Sequence, residues 1–173
     1  MERSFMNIEK QKYKSDKTSI NTVNRVYKKY DFKPNSLILD YGGGAYDSNI
    51  KYMKEKNCNV LVYDPYNRSE QHNKQVFDYI TKHNVDYVVC SNVLNVIEED
   101  FILIEIFRNI LITCPYAKVL FTVYEGDKSG VGKVTKKGYQ RNLPYKAYIP
   151  IISKYFNIKE VKNGIIACER DKL

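Results

Sequence analysis

Residues 37–44 read Leu-Ile-Leu-Asp-Tyr-Gly-Gly-Gly, an apolar run that ends in an acid and then in three consecutive glycines. A run of this length bounded by turn residues reads as a buried strand. A helical stretch over 46–56, carrying Ile50 and Met53 inward, and a second apolar run, Asn59-Val-Leu-Val-Tyr-Asp64 closed by Pro65, complete a βαβ unit. The alternation continues with a strand at Asp86–Cys90, a helix over about 98–112 and a strand at Ala117–Tyr124. Runs so uniformly apolar suit strands covered on both faces, so the chain is predicted to form an α/β, doubly wound, mostly parallel sheet. The runs 157–162 and 164–169 read as a closing antiparallel pair, which makes the last strand antiparallel.

The remaining stretches fill in around this frame. Val23, Val26, Tyr27 and Tyr30 share a helical face over 21–30, which Pro34 ends, and a further helix is expected over about 144–155. The stretch after Pro65 reads as a polar interval, and 125–143 as a long loop. Residues 1–19 are polar and lysine-rich, either a frayed tail or a segment that orders over a ligand, leaving residues 20–173 as one domain. A chain of 173 residues with 43% hydrophobic content has material for one core.

Composition excludes several classes. No unbroken apolar stretch is long enough to cross a bilayer and the start lacks a signal peptide's hydrophobic region, so a cytoplasmic protein without membrane contact is expected. Cys58, Cys90, Cys114 and Cys168 lie far apart, without the paired spacing of zinc sites, and are read as reduced, mostly buried thiols. No metal site is predicted, and His72 and His83, in polar surroundings, are assigned no chemistry. The net charge of +8 is unevenly placed: residues 1–36 hold nine Lys/Arg against four Asp/Glu and 126–146 six against one, while 37–125 hold eight against twelve. The flanks are basic around an acidic middle.

In an open α/β sheet the ligand sits outside the carboxyl ends of the strands, at the first βα turn. Gly42, Gly43 and Gly44 occupy that turn. The dinucleotide pattern G-x-G-x-x-G fails at its third glycine, and Asp40 and Asp47 would repel a pyrophosphate. A positively charged ligand without phosphate is expected, and S-adenosylmethionine fits. Asp64, 24 residues after Asp40 at the end of the second strand, is placed to accept hydrogen bonds from both ribose hydroxyls, with Tyr63 and Tyr66 beside it.

With Asp40-x-Gly42-x-Gly44 as first motif and Asp64 as second-strand acid, residues 20–170 resemble the class I S-adenosylmethionine-dependent methyltransferases. The resemblance implies that Asp40 and the glycine turn serve the methionine moiety and Asp64 the ribose, with Tyr41, Asp47, Pro65 and Tyr66 as further cofactor-binding candidates. Ser91, Asn92 and Val93 would wall off cofactor from acceptor. Val93-Leu-Asn-Val-Ile-Glu98 and Gly132-x-x-Thr135-x-x-Gly138-Tyr139-Gln140 are similar to stretches of a narrower group, the methyltransferases found with bacterial DNA phosphorothioation systems. Gly43-Gly44-Ala45 departs from that group, where a Cys-Gly-Arg type turn would be expected.

Base methylation by the amine route needs an Asp/Asn/Ser-Pro-Pro-aromatic motif after the strand at 86–90, where Cys90-Ser-Asn-Val-Leu94 stands instead. The cytosine route needs Pro-Cys, whereas Cys114-Pro115 is reversed. The acceptor therefore stays open between nucleic acid, slightly favoured by the basic flanks, and a small molecule or protein. A binding module that transfers nothing and a nicotinamide enzyme are further alternatives. The loop at 125–143 is the expected substrate surface, with Lys133, Lys136, Lys137 and Arg141 as phosphate contacts. Tyr139 and Gln140 are the candidates for acceptor contacts, and Asn92 for a polar group near the methyl.

Overall fold

The structure, a computed structural model, describes residues 11–170. Its centre is a six-stranded sheet. The strands are β1 (Leu37–Tyr41), β2 (Asn59–Tyr63), β3 (Tyr87–Ser91), β4 (Lys118–Thr122), β7 (Asn157–Lys162) and β8 (Ile165–Glu169), in the order β2-β1-β3-β4-β8-β7. The first four run parallel, while β8 pairs antiparallel with β4 and β7 antiparallel with β8. The expected doubly wound sheet with an antiparallel end is thus present, and the β7–β8 turn carries the two left-handed residues Asn163 and Gly164 that a tight hairpin requires.

Successive residues of β1 go to opposite layers. Ile38 joins a core with Val26 and Tyr27 of helix α1 (Arg25–Lys29) and Met53 of α2 (Ser48–Lys54). Leu39 and Tyr41 face a second, larger core built on α3 (Glu70–Ile80) and α4 (Asp100–Thr113), where Phe107 meets Phe121 and Phe156 edge-on. Both faces of the sheet are therefore covered. Chain direction along the sheet reverses at β1, which has β2 on one side and β3 on the other. A crevice at the carboxyl ends of β1 and β3 follows from that reversal.

Four expectations need correction. The interval after Pro65 contains α3, started by Ser69 Oγ accepting from His72 N, and its buried residues are Val76 and Ile80, too thin an apolar stripe to stand out in the sequence. The loop 125–143 holds a small hairpin of β5 (Lys133–Thr135) and β6 (Gly138–Gln140). In place of a helix over 144–155 there is a 3-10 turn, Tyr145–Tyr148, followed by a single helical turn, α5 (Ile149–Ile152). Pro150, having no N–H, cannot donate one turn back and keep one helix continuous. The helix expected over 21–30 is likewise shorter, because the Asn24 side chain caps it at Val26 N.

Candidate functional site

A cleft of about 740 Å³ opens at the carboxyl ends of β1, β2 and β3, a size typical of a site for a small ligand. Its floor is the glycine turn. Gly42 and Gly44 have φ of 77° and 82°, a region where a side chain is strained. A Cβ on Gly42 would lie 2.5 Å from Val93 Cγ2, so the turn and the wall after β3 touch with nothing between them. Gly42 N donates to Tyr63 O at 2.7 Å, tying the turn to the end of β2.

Asp40 lines the cleft and is 3% exposed. Asn49 Nδ2 donates to its Oδ2 at 3.0 Å. Burial pushes its carboxyl up to about 6, against the opposing pull of the neighbouring Tyr27 and Asn49, with Asp64 adding repulsion. The Tyr27 hydroxyl is itself buried beside this carboxyl. A carboxylate held in this way gains when a cation arrives.

Asp64, 5% exposed, proves more committed than the sequence suggested. Its Oδ1 accepts from Tyr66 N and Asn67 N, both at 2.9 Å, and from Asn67 Nδ2 at 3.2 Å. Its Oδ2 accepts from Gly44 N at 2.9 Å. A carboxylate offers roughly four acceptor positions, so Oδ1 is filled and Oδ2 can take one further donor. One acceptor position is thus left for a ligand donor, where the ribose expectation called for two. Its backbone is clamped as well: Asn73 Oδ1 accepts from Asp64 N at 3.1 Å and Asn73 Nδ2 donates to Asp64 O at 2.9 Å. Beside it, His72 Nε2 donates to Val62 O at 2.7 Å. These α3 side chains occupy the open edge of β2, where another strand could otherwise pair.

Asp47 lies outside the cleft, a correction to the expected pair of acids facing the ligand. It pairs with Arg68 at 2.8 Å. The same guanidinium donates from Nε to Gly44 O at 2.8 Å and from Nη2 to Tyr46 O at 3.0 Å, so Arg68 holds the far side of the glycine turn. Sequence reasoning did not pick it out.

The other cofactor candidates, Tyr41, Gly43, Pro65, Tyr66, Ser91, Asn92 and Val93, all line the cleft, as do Tyr139 and Gln140. Asn92 has a left-handed φ of 58°, and its N–H donates to Thr122 O. The Gln140 amide is used at both ends: Oε1 accepts from Asn95 Nδ2 at 3.0 Å and Nε2 donates to Tyr124 O at 2.9 Å. It is a brace rather than a free acceptor contact. Its partner Asn95, 2% exposed, was missed, although an asparagine inside an otherwise apolar run was a visible signal. Arg141 is also internal. It pairs with Asp100 at 2.8 Å and donates to the carbonyls of Ile97 at 2.5 Å and Glu98 at 3.0 Å, so the expected phosphate contact there is not available. Lys133, Lys136 and Lys137 remain exposed, and Lys137 is the one basic side chain among the described residues lining the cleft.

The polar segment before α1 crosses the mouth. Lys12 N donates to Glu99 Oε1 at 2.9 Å and Lys12 Nζ lies 3.4 Å from Glu98. Tyr13 stacks on Tyr139 with centroids 5.7 Å apart and planes 9° from parallel. Ser19 Oγ accepts from Ala45 N at 3.1 Å, at the glycine turn. Residues 1–10 of the predicted N-terminal segment lie outside the described residues.

Among the described residues no group of side chains could hold a metal ion, and no helix is long and apolar enough to cross a membrane. All four cysteines are free and buried, and burial pushes the Cys114 thiol up to about 11 and that of Cys168 to about 12.

No protein-family model matches the chain, and no curated protein matches its sequence. Among solved structures it is similar to magnesium protoporphyrin IX methyltransferase (ChlM) from Synechocystis PCC 6803 with bound SAM, at 15% sequence identity and a TM-score of 0.45, over 80% of this chain and 71% of that one. At that level of likeness the site's own geometry has to carry the functional reading.

Proposed function

We propose that the chain is an S-adenosylmethionine-dependent methyltransferase. The observation that carries this reading is the pair of buried carboxylates, Asp40 and Asp64, at the ends of adjacent strands on either side of a glycine turn. The surroundings suit a ligand with a cationic end and a ribose. Asp40 faces the cationic end, the glycine turn lets the ligand approach the backbone, and Asp64 Oδ2 accepts from one ribose hydroxyl. Pro65 and Tyr66 flank the base. A pyrophosphate would meet the two acids with only Lys137, among the described residues of the lining, to offset them.

When bound, the cofactor supplies a methyl on a cationic sulfur, which leaves neutral after in-line displacement. The chain's part is then alignment and exclusion of water, and a strong base is not required. Asn92 and Val93 form the wall beside the reacting centre, with Tyr139 across the cleft. The narrower resemblance to methyltransferases of DNA phosphorothioation systems rests on 93–98 and 132–140, two stretches that bond to each other through Asn95 and Gln140. A nucleic-acid acceptor would have to be held by Lys133, Lys136 and Lys137 without Arg141.

Calorimetric titration with S-adenosylhomocysteine and with NAD tests the reading. Binding of the first without the second is expected; binding of NAD alone would overturn it in favour of a nicotinamide enzyme.

A further inference from the structure

The segment from Gln11 to Thr22 touches both ends of the cleft. At one end Ser19 is bonded to the glycine turn, and a Cβ on Gly44 would come 2.7 Å from its hydroxyl. Next to it, Ser48 Oγ donates to Asn21 Oδ1 at 2.8 Å and Asn24 N to Asn49 Oδ1 at 2.8 Å. At the other end the backbone of Lys14 lies directly on the β5–β6 hairpin, because a Cβ on Gly138 would come 2.7 Å from Lys14 O. Tyr13 extends the contact by stacking on Tyr139, and Lys12 fastens the start of the segment to Glu98 and Glu99. Along this segment Gln11, Ser15, Thr18, Ser19, Ile20 and Thr22 line the cleft.

These attachments differ from core packing. They are single hydrogen bonds, one exposed ion pair and one ring stack, and no residue from Lys12 to Thr22 is buried. Segments held in this way open at small cost relative to global unfolding. A strap joined to both walls narrows the mouth, and lifting it widens the path for a ligand of the size of the cleft.

We propose that residues 11–22 are a strap that closes over the bound cofactor, and that the Tyr13–Tyr139 stack restricts the acceptor to a small molecule reacting in the closed state. The proposal rests on the methyltransferase reading above. A small acceptor needs the strap open only during exchange. A nucleic-acid strand brings its backbone with it, so the strap would have to stay displaced throughout the reaction.

The strap carries its own reporters, the exposed Lys12, Lys14 and Lys17. Trypsin cleavage at a locally opened segment follows the population of the open form. At a S-adenosylhomocysteine concentration one hundred times its calorimetric Kd, cleavage at these lysines should slow by about a hundredfold, because the ligand draws the equilibrium to the closed state. Tyr13→Ala lies outside the core and should raise cleavage of the free protein several-fold, while Tyr13→Phe, which keeps the stack, should behave as the unmodified chain. A 20-nucleotide single-stranded DNA or RNA should leave the cleavage rate unchanged. Calorimetric binding of S-adenosylhomocysteine without protection would overturn the strap and leave the methyltransferase reading standing. Absence of that binding would remove both. Acceleration of cleavage by either oligonucleotide would show the strap displaced by a polymer and overturn the small-molecule acceptor.

Discussion

Asp64 Oδ2 accepts a hydrogen bond from the backbone N–H of Gly44 at 2.9 Å, so the acid that ends β2 also holds the turn that follows β1. The two halves of the candidate site are one hydrogen-bonded unit. Losing the carboxylate therefore affects the empty protein as well as the bound one.

Asp64→Ala leaves the N–H groups of Gly44, Tyr66 and Asn67 without their charged acceptor. A stability loss of about 2 to 4 kcal/mol is expected, together with weaker S-adenosylhomocysteine binding. Urea denaturation measures the first. A loss below about 0.5 kcal/mol would show that the acid does not organise the turn.

Arg68 and Asp47 separate support from contact. Arg68→Met removes two bonds to the glycine turn and should weaken S-adenosylhomocysteine binding by about 1 to 2 kcal/mol without touching the ligand. Asp47→Asn alters a half-exposed partner outside the cleft and should change affinity by less than about 0.5 kcal/mol. A larger effect of Asp47→Asn in calorimetry would return that acid to the site.

Burial raises the Asp40 carboxyl to about 6, above its ordinary 3.8. Between those values the folded chain holds a proton that the unfolded chain has released, so this group favours folding below the lower value and loses that contribution as pH rises through about 6. A cationic ligand selects the ionised form and has the opposite dependence. S-adenosylmethionine affinity should increase as pH rises to about 7, with binding at pH 5 weaker by roughly tenfold. Calorimetry from pH 5 to pH 8 should give a flat profile in Asp40→Asn, and a profile in that variant as steep as the original would assign the effect to another group.

Arg141→Ala removes the pair with Asp100 and the bonds to Ile97 and Glu98, and a stability loss of about 2 to 3 kcal/mol is expected. Lys133→Ala, Lys136→Ala and Lys137→Ala combined should leave stability within about 0.5 kcal/mol. Thermal unfolding distinguishes them. Equal losses would mean that the three lysines also hold the hairpin together.

The α/β architecture was legible because apolar runs of one strand's length and a glycine triplet are local signals, each set by the dihedrals and burial of adjacent residues. Asp40, Asp64 and the glycines were found for the same reason, since strand ends and the first βα turn have fixed places in such a sheet. The helix α3 escaped because its stripe is two residues deep, and the helix at 144–155 was overdrawn because Pro150 sits inside an otherwise apolar pattern.

What the chain's order of residues determined by itself was the sheet, its winding and the acids at the carboxyl ends of its strands, all consequences of backbone preference and side-chain periodicity over a few residues. Only the tertiary structure decided which charges remain available to a ligand. Arg68 takes Asp47 out of the cleft, Asp100 and two carbonyls take Arg141 off the surface, three donors fill one oxygen of Asp64, and Tyr13 finds Tyr139 across most of the chain. Each of these pairings depends on distances that loop paths set in three dimensions, and hydrogen bonds and ion pairs act only over a few ångströms, so no spacing along the chain announces them.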